Sequence, residues 1–200
     1  GLSVTGLVNP KDVKKNNGTQ CGDVLILTKP LGVGLTLNAL RMDDCSKEMQ
    51  ERVFKSMTTL NKYACDVLKK YDVHALTDVT GFGLLVHLNE MLDEKNSAVI
   101  YKDSIPYFDD CQKYVEEFYL SGAAQTNRNS VEGKIRFDCD FFTEEILFDP
   151  QTSGGLLASV SKADLEMLEK DFKENNLELY VVGEVIEKNE YNVYVRGRKI

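Results

Sequence analysis

Apolar and polar positions alternate in two different periods along this chain, and the changes of period mark its elements. Residues 24–28 form a short apolar block bounded by Gly22-Asp23 and Pro30, which predicts a strand buried on both faces, with Gly32 and Gly34 in the loop after it. From Ser46, a plausible N-cap, the period becomes helical. Met49, Val53, Met57, Leu60, Ala64, Val67 and Leu68 recur at three- and four-residue steps, and Thr58-Thr59 are expected to split the run into two helices. A strand is predicted over 73–77, a helix over 84–92 and a strand over 98–101. A helix follows over 109–119 with Cys111, Tyr114, Val115 and Phe118 inward. Residues 122–130 read as a polar loop, 134–137 as a strand and 141–147 as a short helix. Residues 156–160 read as a strand, followed by a helix opened by a capping-box-like pattern at 161–164 with Leu165, Leu168 and Phe172 inward. Residues 180–185 and 192–195 read as two closing strands forming a hairpin. Strands thus alternate with helices over most of the chain and the last two are adjacent, which predicts an α+β fold with a mixed sheet and helices packed on it.

Composition narrows the classes of function. Lys and Arg number 24 against 32 Asp and Glu, a net charge of −8, which disfavours a nucleic-acid partner held through its phosphates. No apolar run approaches the ~20 residues that span a bilayer, and the first residues carry no signal-peptide pattern, so no membrane partner is expected. The five cysteines, Cys21, Cys45, Cys65, Cys111 and Cys139, are odd in number and form no CxxC pair. That pattern disfavours a disulfide framework or zinc ribbon and fits free thiols in a reducing, cytoplasmic compartment. The chain opens on Gly1 rather than Met, which reads as processing or as a piece of a longer protein.

Three segments can carry chemistry. In the run from Leu76 to His87 (Leu-Thr-Asp-Val-Thr-Gly-Phe-Gly-Leu-Leu-Val-His), a strand ends at Asp78, two glycines follow and a helix begins. A carboxylate at a strand's carboxyl end suits a hard cation such as Mg²⁺, and Gly81 and Gly83 would let backbone approach phosphate. The plainer alternative is a tight turn with Asp78 or Thr80 as an N-cap. The run from Phe148 to Leu157 (Phe-Asp-Pro-Gln-Thr-Ser-Gly-Gly-Leu-Leu) reads either as a backbone nest near a ligand or as a glycine turn. The 122–130 segment is rich in hydrogen-bonding groups, and its Arg128 could meet an anion. His87 reads as a satisfied, partly buried histidine, while His74 and Cys21 have no companion that sequence can place.

Taken in order, the run from Asp23 to Gly32 (Asp-Val-Leu-Ile-Leu-Thr-Lys-Pro-Leu-Gly) and the Leu76 and Phe148 runs closely resemble the selenophosphate synthetase family, from Ser3 to Val185. The resemblance covers the family's C-terminal half. It implies the α+β C-terminal domain shared with aminoimidazole ribonucleotide synthetase and a hydrogenase maturation protein, partly ferredoxin-like. It also implies a division in which 1–22 link to an absent N-terminal ATP-binding lobe and 23–200 form the domain. The implied reaction converts ATP, selenide and water into selenophosphate, AMP and phosphate, supplying selenocysteine and selenouridine synthesis, with Mg²⁺ as cofactor and a homodimer as the full-length assembly. Asp78 falls on the family's metal ligand, and Gly81 and Gly83 lie beside it. No catalytic side chain is expected in these residues, because the reactive Cys or selenocysteine and the catalytic lysine belong to the other lobe; the chain alone is expected to be inactive. Val86 stands where the family often has Gly, and Ala123-Ala124-Gln125 replace a Pro-Gly-Gly run. The alternatives are the matching domain of a related ATP-using enzyme of purine biosynthesis or hydrogenase maturation, and a stand-alone partner-binding domain.

Overall fold

In the computed structural model, which describes residues 3, 5–10 and 13–198, seven strands form one mixed sheet with helices on both faces. The expectations that fall on Gly1 and Val4 lie outside the described residues. The strands are β1 (Val24–Leu27), β2 (Val73–Asp78), β3 (Asn96–Tyr101), β4 (Ile135–Phe137), β5 (Leu156–Val160), β6 (Tyr180–Glu187) and β7 (Val193–Arg196). Their order is β2-β5-β1-β6-β3-β7-β4, antiparallel except where β7 pairs parallel with β3 and β4. The helices are α1 (Val33–Arg41), α2 (Lys47–Thr58), α3 (Lys62–Leu68), α4 (Gly83–Met91), α5 (Cys111–Glu116), α6 (Gly122–Ser130), α7 (Phe141–Phe148) and α8 (Leu165–Glu174).

Strand β1 shows why its sequence is apolar without alternation. Leu25 and Leu27 enter the larger core beneath α1, α4, α5 and α7, while Val24 and Ile26 enter a smaller core with residues of α3 and α8 on the opposite face. A strand covered on both faces needs an apolar residue at every position. Ser46 caps α2 as expected, its side chain accepting the Met49 N–H at 3.1 Å, and the chain breaks after Thr58.

Six expectations are corrected. The 122–130 segment is the helix α6, not a loop. Ser121 caps it by accepting the Ala123 N–H, Gln125 bonds Asn129 one turn on, and Ala124, Asn127 and Val131 are buried. Its inward face carries an asparagine in place of a large apolar residue, so it shows little hydrophobic period. Gly34 lies within α1, whose buried face is Val33, Leu35, Thr36 and Ala39. The two closing strands make no hairpin, because β3 lies between β6 and β7. Neither Asp78 nor Thr80 caps α4, whose N-cap position is Phe82, and Ser161 opens a 3₁₀ turn with no side-chain cap. Phe118 is 74% exposed, because α5 ends at Glu116 and Phe118 itself takes a left-handed conformation at φ 59°.

Candidate functional site

The three runs singled out in the sequence meet at one end of the sheet, where β1 and β2 finish and β5 begins. Backbone ties join them. The Val79 N–H donates to the Gly155 carbonyl at 2.8 Å, and the Gln151 N–H donates to the Thr80 carbonyl at 3.0 Å. The Thr28 N–H donates to the Leu156 carbonyl, and the Thr28 hydroxyl accepts the Leu156 N–H at 2.8 Å. Gly83 takes φ 72°, a left-handed value, and a Cβ there would lie 2.8 Å from the Phe148 carbonyl oxygen. A Cβ at Gly81 would meet nothing within 4 Å among the described residues, and Gly81 is exposed. The two glycines therefore differ: one is fixed by packing, and the other leaves its surface open.

Asp78 is the last residue of the edge strand β2 and pairs through its backbone with Leu156. Its side chain is exposed and makes no hydrogen bond or ion pair among the described residues. No group of three or more His, Cys, Asp and Glu side chains that could hold a metal occurs among those residues. An unspent carboxylate at a strand end fits Mg²⁺, which keeps several waters and binds through one or two carboxylates plus substrate phosphates.

Side chains that the sequence reading did not single out hold this end together. Lys29 is buried, and its Nζ donates to the carbonyls of Thr59 at 2.8 Å and Ser153 at 2.9 Å; burial lowers its pKa. Asn61 donates to the Gly154 carbonyl at 2.9 Å. Asn127 of α6 donates to the carbonyls of Gly81 at 2.9 Å and Phe148 at 3.1 Å. Asp149 sits at the start of α1, where its carboxylate accepts the Gly34 N–H at 2.9 Å and the Gln151 amide at 2.8 Å. A cleft of about 590 Å³ flanks the Ser153 side of these contacts, between Lys29, Lys55, Asn61, Tyr107 and Tyr180.

Residues 20–196 match the family model described as AIR synthase related protein, C-terminal domain. The chain belongs to that family. Curated relatives include selenide, water dikinases of Agathobacter rectalis, 44% identical over 98% of this chain, and Desulfitobacterium hafniense, 41% identical over 96%. The chain spans 58% and 57% of the length of these two relatives. Among solved structures, a thiamine-monophosphate kinase of Stenotrophomonas maltophilia has a TM-score of 0.67 at 16% identity, covering 96% of this chain and 56% of that one. A hydrogenase maturation protein of E. coli has a TM-score of 0.63 at 16% identity, covering 91% and 48%. At that identity these two likenesses show a shared fold.

Within this AIR-synthase-type domain, Arg128 meets acids of its own chain. Its guanidinium lies 2.6 Å from Glu144, pairs with Glu145 and stacks 4.7 Å from the Phe148 ring centre. Those contacts hold α6 to α7 and commit its charge. His74 has companions that sequence could not place: Nδ1 lies 2.9 Å from both Asp23 oxygens, and Nε2 lies 3.1 Å from Asp72. Burial disfavours the imidazolium, but the two carboxylates outweigh it and raise the pKa. Among the described residues, no helix is long and apolar enough to cross a membrane.

Asp149 yields a prediction about stability. Burial pushes its carboxyl up to about 7 from 3.8, against the pull of the N–H groups around it, and Oδ1 has no hydrogen-bond partner among the described residues. A folded pKa above the unfolded one means that the folded state binds the extra proton, so this group's contribution to stability is full below pH ~4 and is lost as pH rises through ~7, about 4 kcal/mol in all. Asp149→Asn keeps the acceptor for Gly34 and carries no charge. It is expected to match the parent near pH 4 and to exceed it by a few kcal/mol at pH 8. Urea unfolding of both proteins across pH 4–8 measures the difference; equal slopes against pH would contradict it.

Proposed function

We propose that this chain is the C-terminal lobe of a selenide, water dikinase, an enzyme that converts ATP, selenide and water into selenophosphate, AMP and phosphate. The observation that carries this reading is identity of 36–44% to proteins of that name over almost the whole chain, with the motifs at 77–85 and 148–157 joined in space. The remaining length of those relatives would supply an N-terminal lobe with the reactive Cys or selenocysteine and most of the ATP-binding acids, with residues 1–22 as the link and 23–200 as the domain. A homodimer of the full-length protein in the cytoplasm completes the reading. A structural neighbour, a PurL of T. maritima, is complexed with the ATP analogue AMPPCP.

In this reading Asp78 contributes a carboxylate to Mg²⁺. That cation, when bound, neutralises charge on the polyphosphate. The other ligands come from substrate oxygens, water and the second lobe. Gly81 leaves open surface beside Asp78 for phosphate, and Gly83 fixes the start of α4. Lys29, Asn61 and Asn127 hold the loops on either side of Asp78 through backbone carbonyls, so the carboxylate is presented from a fixed frame.

Phosphorus NMR tests the reading. The complete protein, given ATP, Mg²⁺ and selenide, is expected to form selenophosphate and AMP in equal amounts, with little AMP when selenide is left out. Residues 1–200 alone are expected to form none. Selenide-independent cleavage of ATP by the complete protein would overturn the assignment, and a selenophosphate signal from the 200 residues alone would overturn the division of labour.

A further inference from the structure

His87 lies in α4 with its imidazole almost wholly buried, and its contacts fix its protonation. The Thr80 N–H points at Nε2 from 3.2 Å, and the Thr80 hydroxyl lies 3.1 Å from the same nitrogen. A backbone N–H can only donate, so Nε2 carries the lone pair and the ring proton sits on Nδ1. Nδ1 faces Glu90, with 3.6 Å to the carboxylate, and the Phe82 ring packs 5.8 Å from the imidazole. Thr80 is held on its other side by its carbonyl, which accepts N–H bonds from Gln151 and Gly83, both at 3.0 Å. Among the described residues, His87 is the side chain that satisfies the Thr80 N–H, at the centre of the turn from Asp78 to Gly83.

We infer that His87 is a positioning residue for the cation site: as a neutral imidazole protonated on Nδ1, it holds Thr80 and so fixes the turn that presents Asp78 and the open surface at Gly81. The inference rests on the reading of Asp78 as a Mg²⁺ ligand. Partners bonded directly to a metal ligand commonly change metal affinity by about 10–100-fold when removed; His87 stands one bond further out, through Thr80, so the lower end of that range is expected. The acceptor is the part of His87 that matters here. A Gln side chain at 87 can place an amide oxygen where Nε2 lies, whereas an Asn side chain stops one methylene short.

The test uses the complete protein and two measurements. Nitrogen NMR of the histidine ring is expected to show His87 protonated on Nδ1 and bare on Nε2 at pH 7.5, with the signals identified by their loss in His87→Gln. The opposite tautomer would overturn the proposal. The Mg²⁺ concentration giving half-maximal ATP cleavage is expected to rise about tenfold in His87→Asn and to stay within about threefold of the parent in His87→Gln. Both replacements are polar and smaller than imidazole, so comparing them separates the acceptor from general loss of packing. Equal Mg²⁺ dependence in the two variants would overturn the proposal. Asp78→Asn, measured beside them, separates the two levels. If it leaves the Mg²⁺ dependence unchanged, the assignment of Asp78 fails; if it shifts that dependence while His87→Asn does not, only the role of His87 fails.

Discussion

Asp78→Asn, made in the complete protein, is expected to cut selenide-dependent ATP cleavage to a small fraction of the parental rate while leaving the fold unchanged. The substitution exchanges one oxygen for an amide nitrogen and removes a negative charge. With Asp78 as the proposed ligand, a hard dication would lose both a ligand and the charge that offsets its dehydration. Charge stabilisation of this kind is worth several kcal/mol in phosphoryl transfer, so turnover at ordinary Mg²⁺ should fall by about a thousandfold. The fold has little to lose. The Asp78 side chain is exposed and has no partner among the described residues, and its place in the sheet depends on backbone pairing with Leu156, which an asparagine keeps. A surface change of this kind moves stability by less than about 0.5 kcal/mol. AMP formation at a series of Mg²⁺ concentrations, together with a thermal melt, checks both halves. Near-parental turnover with the same Mg²⁺ requirement would remove Asp78 from the site, whereas a lowered melting temperature would show that the carboxylate has a structural partner.

The legibility of this end of the molecule differed sharply between its parts. Runs with one strong period could be read. β1 is apolar at every position because two cores cover it, and Met49 and Val53 mark the buried side of α2. Helix α6 was hidden because Asn127 takes the place of a large apolar residue on its inner face and serves backbone carbonyls, a role without a periodic signature. Helix α1 was hidden by Gly32 and Gly34, whose close contacts come from Cys111 and Asp149, residues distant in sequence. The supposed hairpin failed for a topological reason. Adjacency in sequence favours pairing, but β3 had already taken the edge of β6 through five residue pairs. Asp78 could be singled out as a candidate because a carboxylate at a strand end, followed by glycines and a helix, is a recognisable local pattern. Lys29, Asn61 and Asp149 could not, because each contacts a segment between 93 and 124 residues away, and no local pattern encodes that. Nor does a capping side chain announce α1: Gly32 stands at its N-cap position, and the helix start is satisfied from Asp149 and Gln151 instead.

Gly154→Ala is expected to lower stability by about 2–3 kcal/mol, the cost of forcing an extra methyl group into a filled site. For a chain of this size that is a fall in melting temperature of roughly 5–10 °C. A Cβ at Gly154 would lie 2.3 Å from the Val79 carbonyl oxygen and 2.9 Å from the Gln151 Cβ. The first of these is backbone, so no rotamer change relieves the clash. The Phe148 run would have to move away from the turn after Asp78. That movement pulls on the Val79 bond to Gly155, the Gln151 bond to Thr80 and the Asn61 bond to the Gly154 carbonyl. If Asp78 holds Mg²⁺ as proposed, the substitution acts on that site as well as on stability. In the complete protein it should raise the Mg²⁺ concentration needed for half-maximal activity even at temperatures where the fold is intact. Gly122→Ala provides the control, because a Cβ there meets nothing within 4 Å and alanine favours the helix that begins at that residue. Gly122→Ala should melt at or above the parental temperature with unchanged Mg²⁺ dependence. If Gly154→Ala behaves like this control, the contact between the two loops is not what holds Asp78 in place.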